Sequence, residues 1–299
     1  MRSSDERTRL VTREPTSQPA AASGTVTIGG DLTVNRIGFG AMRLTGPGHW
    51  GPPADPDAAK AVLRRAVELG VNFIDTADAY GPGISEDLIR DALYPYDGVS
   101  IATKGGYVRG GPTEWKALGR PDYLRQCVEL SLRRLGLERI DLYQLHRIDA
   151  GVPLAEQLGA LAEMRNEGKI RHIGLSAVTV AQVEQARNLL TIASVQNAYN
   201  VQRRNHDRVV DYCAAEGIAF LPYTPIGAGE LAEVDGPLCA AAKETGGTAA
   251  QVALAWLLHR SPAVLPIPGT GSLAHLAENV AAASLVLSDD VVRTLSDLG

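Results

Sequence analysis

The stretch Val71-Asn72-Phe73-Ile74-Asp75-Thr76-Ala77-Asp78-Ala79-Tyr80 decides how this chain is read. Leu69-Gly70 closes a helix-like segment just before it. Val71, Phe73 and Ile74 favour extended backbone, so the run reads as a short buried strand. It ends in a carboxylate, Asp75, and Tyr80 follows within a Gly-rich loop, Tyr80-Gly81-Pro82-Gly83. A carboxylate at the mouth of a strand is costly unless it caps a helix or meets a charged partner. The ten residues alone leave both readings open.

Outward from this stretch one rhythm repeats. Strands are expected at Arg36–Gly40, Val71–Ile74, Val99–Thr103, Arg139–Leu145, Ile170–Leu175, Ala193–Val195, Ile218–Leu221 and Ala263–Pro266. Helices are expected at Asp57–Leu69, Ser85–Leu93, Pro121–Leu135, Pro153–Asn166, from Thr179, and at Asp207–Glu216. Two more follow the seventh strand, at Pro237–Thr245 and Thr248–Arg260. Leu273–Ala283 and a last helix near Ser288–Leu298 end the chain. Gly105–Arg120 reads as a long Gly-rich loop, and Val26–Val34 as a hairpin turning at Gly29-Gly30-Asp31. Short apolar strands alternating with helical patterns mean a parallel sheet. Eight such units without a domain boundary match an α/β fold, the (β/α)8 TIM barrel, with the hairpin at its bottom and extra helices after strand seven and at the C-terminus. A doubly wound sheet stays open, but no Gly-x-Gly-x-x-Gly follows the first strand.

Composition narrows the function. The 299 residues are 45% hydrophobic and carry a net charge of -5, so one large core is expected and nucleic acid is not an expected partner. No apolar run approaches the roughly 20 residues of a membrane-spanning helix. Cys127, Cys213 and Cys239 lie far apart and suggest neither a metal site nor a disulfide framework. Residues 1–24 read as a disordered tail lacking the apolar core of a secretory signal, and 25–299 as one domain. A cytoplasmic protein is expected by elimination.

In a barrel the functional groups lie at the carboxyl ends of the strands. Those ends carry Asp75, Lys104, His146, Ser176, Gln196, Tyr223 and Thr270. One polar strand-end residue usually caps a helix; seven in one ring point to a shared mouth. Lys104 and Asp75 would neutralise each other, and Tyr80 would reach back toward Lys104. A neighbouring ammonium lowers a phenol's pKa and makes it a better proton donor. His146 would hydrogen-bond a substrate oxygen. With no nucleophile and no metal cluster, the set suits proton delivery coupled to hydride transfer.

Six motifs stand together: Asp75-Thr76-Ala77-Asp78-Ala79-Tyr80-Gly81, Thr103-Lys104, Leu145-His146, Gly174-Leu175-Ser176, Val195-Gln196-Asn197 and Pro266-Ile267-Pro268-Gly269-Thr270. In these the chain resembles the aldo-keto reductases, over roughly Val34 to Gly299. The resemblance implies a barrel that binds NADP(H) across its mouth and a catalytic set of Asp75, Tyr80, Lys104 and His146. It places Ser176 and Gln196 at the nicotinamide carboxamide and Tyr223 on the nicotinamide ring. Thr224, Pro225, Ile226 and Gly227 follow into a pyrophosphate loop. Gly269, Thr270, Gly271, Ser272 and His275 fall around the adenosine 2′-phosphate, and Glu278 and Asn279 at the adenine. Gly40, Met42 and Arg43 lie where the first loop approaches the cofactor.

The chain departs from the family pattern at Ala177, where Asn is frequent, and at Gly269 and His275, where Lys and Arg are frequent. It ends soon after helix eight, so an open substrate site shaped by residues 45–56, 105–120 and 147–152 is expected. His49, Trp50 and Trp115 are pocket candidates. His172, at the opposite end of its strand, reads as structural, His206 and His259 as solvated, and Asp78 as a loop residue. Arg125, Arg133 and Arg134 read as a solvated helix face. The expected function is NADPH-dependent reduction of an aldehyde or ketone, a small-molecule substrate. Alternatives are a pyridoxal-like aldehyde, a sugar or secondary-metabolite ketone, or a non-catalytic nucleotide-sensing subunit. An isomerase or aldolase would need Lys104 as a free amine, which Asp75 argues against.

Overall fold

The computed structural model describes residues 18–227 and 236–298. Most of the expected tail, residues 1–17, lies outside these. Pro19–Ser23 corrects its boundary: this 3-10 turn buries Ala20, whose N–H donates to Leu69 O at 3.0 Å. Small apolar side chains let the turn pack against a second one, Ala282–Ser284.

The strands in chain order are β1 (Thr25–Ile28), β2 (Leu32–Asn35), β3 (Phe39–Gly40), β4 (Phe73–Asp75), β5 (Ser100–Gly105), β6 (Tyr107–Gly111), β7 (Glu114–Ala117), β8 (Ile140–Leu145), β9 (Ile170–Ser176), β10 (Ser194–Ala198) and β11 (Ala219–Tyr223). β1 and β2 form the expected hairpin. Gly29 turns it at φ 62°, and a Cβ there would run into the His172 ring, which itself bonds Asp31. β3-β4-β5-β8-β9-β10-β11 form one parallel seven-stranded sheet.

The expected eighth strand closes the ring without regular strand geometry. Phe220 N–H donates to Ala263 O, and Leu265 N–H to Phe220 O, both at 2.8 Å. On the other side Gly38 and Gly40 N–H donate to Pro266 O and Pro268 O, at 3.0 and 3.2 Å. Proline has no N–H, so this segment accepts toward β3 but cannot return a ladder. The second difference is the expected loop 105–120, which holds the antiparallel hairpin β6–β7.

The helices are α1 (Pro56–Glu68), α2 (Ile84–Leu93), α3 (Pro121–Leu135), α4 (Leu154–Asn166), α5 (Val180–Arg187), α6 (Asp207–Ala215), α7 (Pro237–Thr245), α8 (Ala249–Arg260), α9 (Leu273–Ala281) and α10 (Asp289–Ser296). α1 shows why they form where they do. Asp55 accepts from Ala58 N–H at 2.9 Å as its N-cap, Pro56 opens the first turn, and Ala59, Val62, Leu63 and Ala66 make the buried stripe. Thr179 and Thr248 start α5 and α8 through capping boxes with Gln182 and Gln251.

The core has two shells. Inside the barrel, Phe73, Ala102, Leu142, Ala219, Leu221 and Leu265 pack with Ile28, Leu32 and Val34 of the hairpin, which therefore plugs the bottom. The outer shell lies between sheet and helices. No described helix is long and apolar enough to cross a membrane.

Candidate active site

Asp75 ends β4, and Lys104 lies one residue before the end of the adjacent β5. Both are buried, the lysine completely. Lys104 Nζ donates to Asp75 Oδ2 at 2.6 Å, to Thr76 O at 2.8 Å and to the Tyr80 hydroxyl at 3.4 Å. Asp75 Oδ1 accepts from Gln196 Nε2 at 2.8 Å and Gln144 Nε2 at 3.1 Å. A buried ion pair is tolerable only when its remaining hydrogen-bonding capacity is met, and here it is. Burial opposes the Lys104 ammonium, but the Asp75 carboxylate outweighs it and holds the amine above its ordinary range.

Tyr80 corrects an expectation. Burial pushes its phenol up, the Lys104 ammonium pulls it down, and the net direction is upward. The hydroxyl stays protonated at neutral pH, which a proton donor requires. His146 follows β8 and lies beside Tyr80, their ring centroids 5.9 Å apart. Burial first, then Lys104, Arg147 and Arg109, hold its imidazole well below the usual range, so it is neutral. Its Nδ1 is buried with no hydrogen-bond partner.

A cavity of about 1130 Å³ crosses the barrel mouth. Asp75, Tyr80, His146, Gly40, Met42, Arg43, Ser176, Gln196, Tyr223, Thr224, Pro225 and Ile226 line it. So do Gly269, Thr270, Gly271, Ser272, His275, Glu278 and Asn279. Lys104 lies beneath its floor, and Gly227 does not line it. The structure thus gathers nearly all the residues singled out in the sequence. At one wall β3 and the eighth segment meet backbone to backbone: a Cβ on Gly269 would come within 2.4 Å of Gly40 O.

The far end of the cavity is the N-terminus of α9. Ser272 caps it, its Oγ accepting from His275 N–H at 3.4 Å, and Thr270 Oγ1 accepts from Ser272 N–H at 3.0 Å. Three non-glycine residues of the mouth have left-handed backbone, His49 at φ 57°, Ala177 at φ 55° and Thr224 at φ 53°. Asn197 fixes Ala177 by bracketing Val178, accepting from its N–H at 3.0 Å and donating to its carbonyl at 2.7 Å. Asn200 Nδ2 donates to Thr224 O at 2.9 Å.

Sequence reasoning missed Gln144, although a polar residue inside Leu142-Tyr143-Gln144-Leu145 was a visible signal. It also missed Ala250, which lines the cavity together with Tyr107 and Arg147 of the expected pocket loops. Trp115 and His49 line it too; Trp50 does not. Arg134 corrects the reading of a solvated face: its Nε bonds the fully buried Glu86 at 2.6 Å, and Glu86 also accepts from Thr103. Arg125 pairs with Glu163 and Glu167 at the surface.

A closed barrel with a buried Asp–Lys pair, a tyrosine and a histidine at one end of a long cleft defines a class, and the sequence comparison gives it a name. The model of the aldo/keto reductase family matches residues 36–299, and the chain belongs to this family of oxidoreductases. It is 51% identical to an uncharacterized oxidoreductase of Schizosaccharomyces pombe over 280 residues, 94% of this chain and 91% of that protein. It is 46% identical to pyridoxine 4-dehydrogenase of Escherichia coli over 284 residues, 93% of this chain and 99% of that protein. A Klebsiella pneumoniae aldo/keto reductase in complex with NADP and acetate superposes with a TM-score of 0.77 at 28% identity, covering 92% of this chain and 94% of that one.

Proposed function

We propose that the chain is an NADPH-dependent carbonyl reductase that converts an aldehyde or ketone to an alcohol, with Tyr80 as the proton donor. The observation that carries this reading is a neutral, protonated Tyr80 hydroxyl 3.4 Å from the Lys104 ammonium, in the same cavity as a neutral His146. The Klebsiella relative's complex with NADP supports the choice of cofactor.

The residues present fit a nicotinamide dinucleotide. The cavity is long enough to join Tyr80 to the N-terminus of α9, a natural anion site. Ser176, Gln196 and Tyr223 would hold the nicotinamide end, Thr224 to Gly227 the pyrophosphate, and Gly269 to His275 with Glu278 and Asn279 the adenosine end. The reduced nicotinamide, when bound, supplies a hydride for the carbonyl carbon.

The chain's own residues then handle oxygen and proton. A neutral imidazole carries one N–H, and an orphaned N–H is rarer than an orphaned acceptor. His146 therefore keeps its proton on Nε2 and donates it to the carbonyl oxygen as a hydrogen bond. Tyr80 transfers its hydroxyl proton to that oxygen as negative charge develops. Lys104 stabilises the phenolate left behind, and Asp75 with Gln144 and Gln196 keeps the ammonium in place.

Tyr80→Phe tests this. The variant is expected to bind NADPH with unchanged Kd and to lose about 10²–10⁴-fold in kcat, the usual worth of an acid–base group. Wild-type kcat in the variant, with chemistry rate-limiting, would overturn the assignment. Among substrates, a pyridoxal-like aldehyde is favoured by the 46% identity to a pyridoxine dehydrogenase and by the aromatic rings of Tyr107 and Trp115 on the cavity wall.

A further inference from the structure

We infer that Arg109 is a positioning residue of the substrate pocket: it straps the β6–β7 hairpin to the loops at 46–51 and 77–80, and so holds Trp115 beside Tyr80 to receive flat aromatic carbonyls. The inference rests on the reductase reading above and deepens it.

Arg109 uses all three of its nitrogens on backbone carbonyls. Nε donates to Glu114 O at 3.2 Å. Nη1 donates to Ala79 O at 2.8 Å and His49 O at 3.2 Å. Nη2 donates to Gly48 O, Pro112 O and Gly111 O at 3.1, 3.1 and 3.2 Å. The acceptors belong to three chain segments, and no carboxylate pairs with this cation among the described residues. Charge-assisted bonds are the strong ones, and only a planar fork reaches this many acceptors at once. The guanidinium also lies 3.6 Å from the centroid of the Trp115 ring, its cross-strand neighbour, and 5.5 Å from that of Trp50.

What the strap holds is the roof of the reaction site. Ala79 directly precedes Tyr80. Trp115 meets the Tyr80 ring edge-on at 6.5 Å and the His146 ring at 6.2 Å. Tyr107, at the start of the hairpin, meets Trp115 at 5.4 Å and His146 at 4.7 Å. Any carbonyl within reach of Tyr80 and His146 carries its substituent against these rings. The strapped segments are intrinsically loose: Gly46, Gly48 and Gly51 lie in one, and Gly110-Gly111-Pro112 in another. Gly81 already ties the 46–51 segment to the Tyr80 loop, donating to His49 O and accepting from Gly51 N–H, both at 3.0 Å. Arg109 is the common donor to carbonyls of both loops and of the hairpin, and so fixes the hairpin over Tyr80.

The test uses the full chain with Arg109→Met, Arg109→Lys and Trp115→Leu. Three readouts are taken: amide hydrogen exchange over 46–51 and 107–117, NADPH affinity, and steady-state reduction of benzaldehyde and propanal. Arg109→Met is expected to lose protection in both segments. Its KM for benzaldehyde should rise about tenfold, the scale of a lost aromatic contact, with KM for propanal and Kd for NADPH within about twofold of wild type. Arg109→Lys, a point charge with three donors, should fall between. Trp115→Leu should give the same KM split with protection at 46–51 intact, and remains informative should Arg109→Met fail to fold. Wild-type exchange in the arginine variants, or equal losses on both aldehydes, would overturn the inference. A wild-type protein that reduces neither aldehyde would instead remove the reductase reading and the role with it, while exchange would still report whether the strap exists.

Discussion

Asp78 is a carboxylate the fold buries without fully satisfying. Its Oδ1 has no hydrogen-bond partner, and burial, then the nearby Glu86 carboxylate, push its pKa up to about 7. The ordinary value is about 3.9. Between those values the folded protein holds a proton that the unfolded chain has released, so stability falls as pH rises from about 4 to about 7 and levels off above. Asp78→Asn removes that titration. Its thermal midpoint is expected to exceed wild type at pH 8, and the gap should shrink at pH 5 and close near pH 4. A gap that does not change with pH would mean that Asp78 is solvated in the folded state. The convergence of Asp75, Lys104 and His146 was legible in the sequence because strand ends meet in any barrel, and Tyr80 was legible because its short Gly-rich loop follows Asp75 directly. Arg109, Gln144 and Arg134 were not, for a physical reason. Arg109 is satisfied by carbonyls of three loops, and Arg134 pairs with Glu86 across 48 positions. No local spacing encodes either.

At the scale of elements, the alternation of strand and helix could be read because side-chain caps open α1, α5, α8, α9 and α10, and Pro121 and Pro237 open α3 and α7. Two elements could not. The eighth segment is apolar like a strand, but Pro266 and Pro268 remove donors, so toward β3 only the carbonyl side of a ladder survives. The β6–β7 hairpin is masked by glycines and lacks clean alternation, since its register shifts between Arg109 and Gly111. The turn after β9 is a third case. Family members often have Asn where this chain has Ala177, and φ 55° is the conformation Asn tolerates and Ala resists. Ala177→Gly relieves the strain and Ala177→Asn eases it. Each is expected to raise stability by about 1 kcal/mol, seen as a higher denaturant midpoint at constant m-value. A destabilised glycine variant would show that the brackets from Asn197 leave no strain to release.

For the whole molecule the open matter is how a chain of net charge -5 would favour the more negative of two cofactors. Its overall field works against a phosphate-rich ligand, so a preference for NADPH has to come from local donors. The cleft offers them at the end far from Tyr80. The N-terminus of α9 presents unsatisfied N–H groups and a positive dipole end, and the Thr270 and Ser272 hydroxyls can still donate while accepting from backbone. Residues 269–279 contain no lysine or arginine, and His275 is exposed at the first turn of the helix. NADPH is therefore expected to bind more tightly than NADH, by a margin below that of a site with a fixed cation. His275→Arg should supply that cation. A guanidinium stays charged and meets phosphate bidentately, so NADPH affinity should rise about tenfold while NADH affinity stays unchanged. The gain should shrink as salt is added, because the site is exposed. Fluorescence titration of both cofactors against both proteins measures this. Equal affinity for the two cofactors in the wild type would remove the 2′-phosphate from this end of the cleft. A variant that tightens both cofactors alike would place a phosphate near residue 275, but one of the pyrophosphate that the two share.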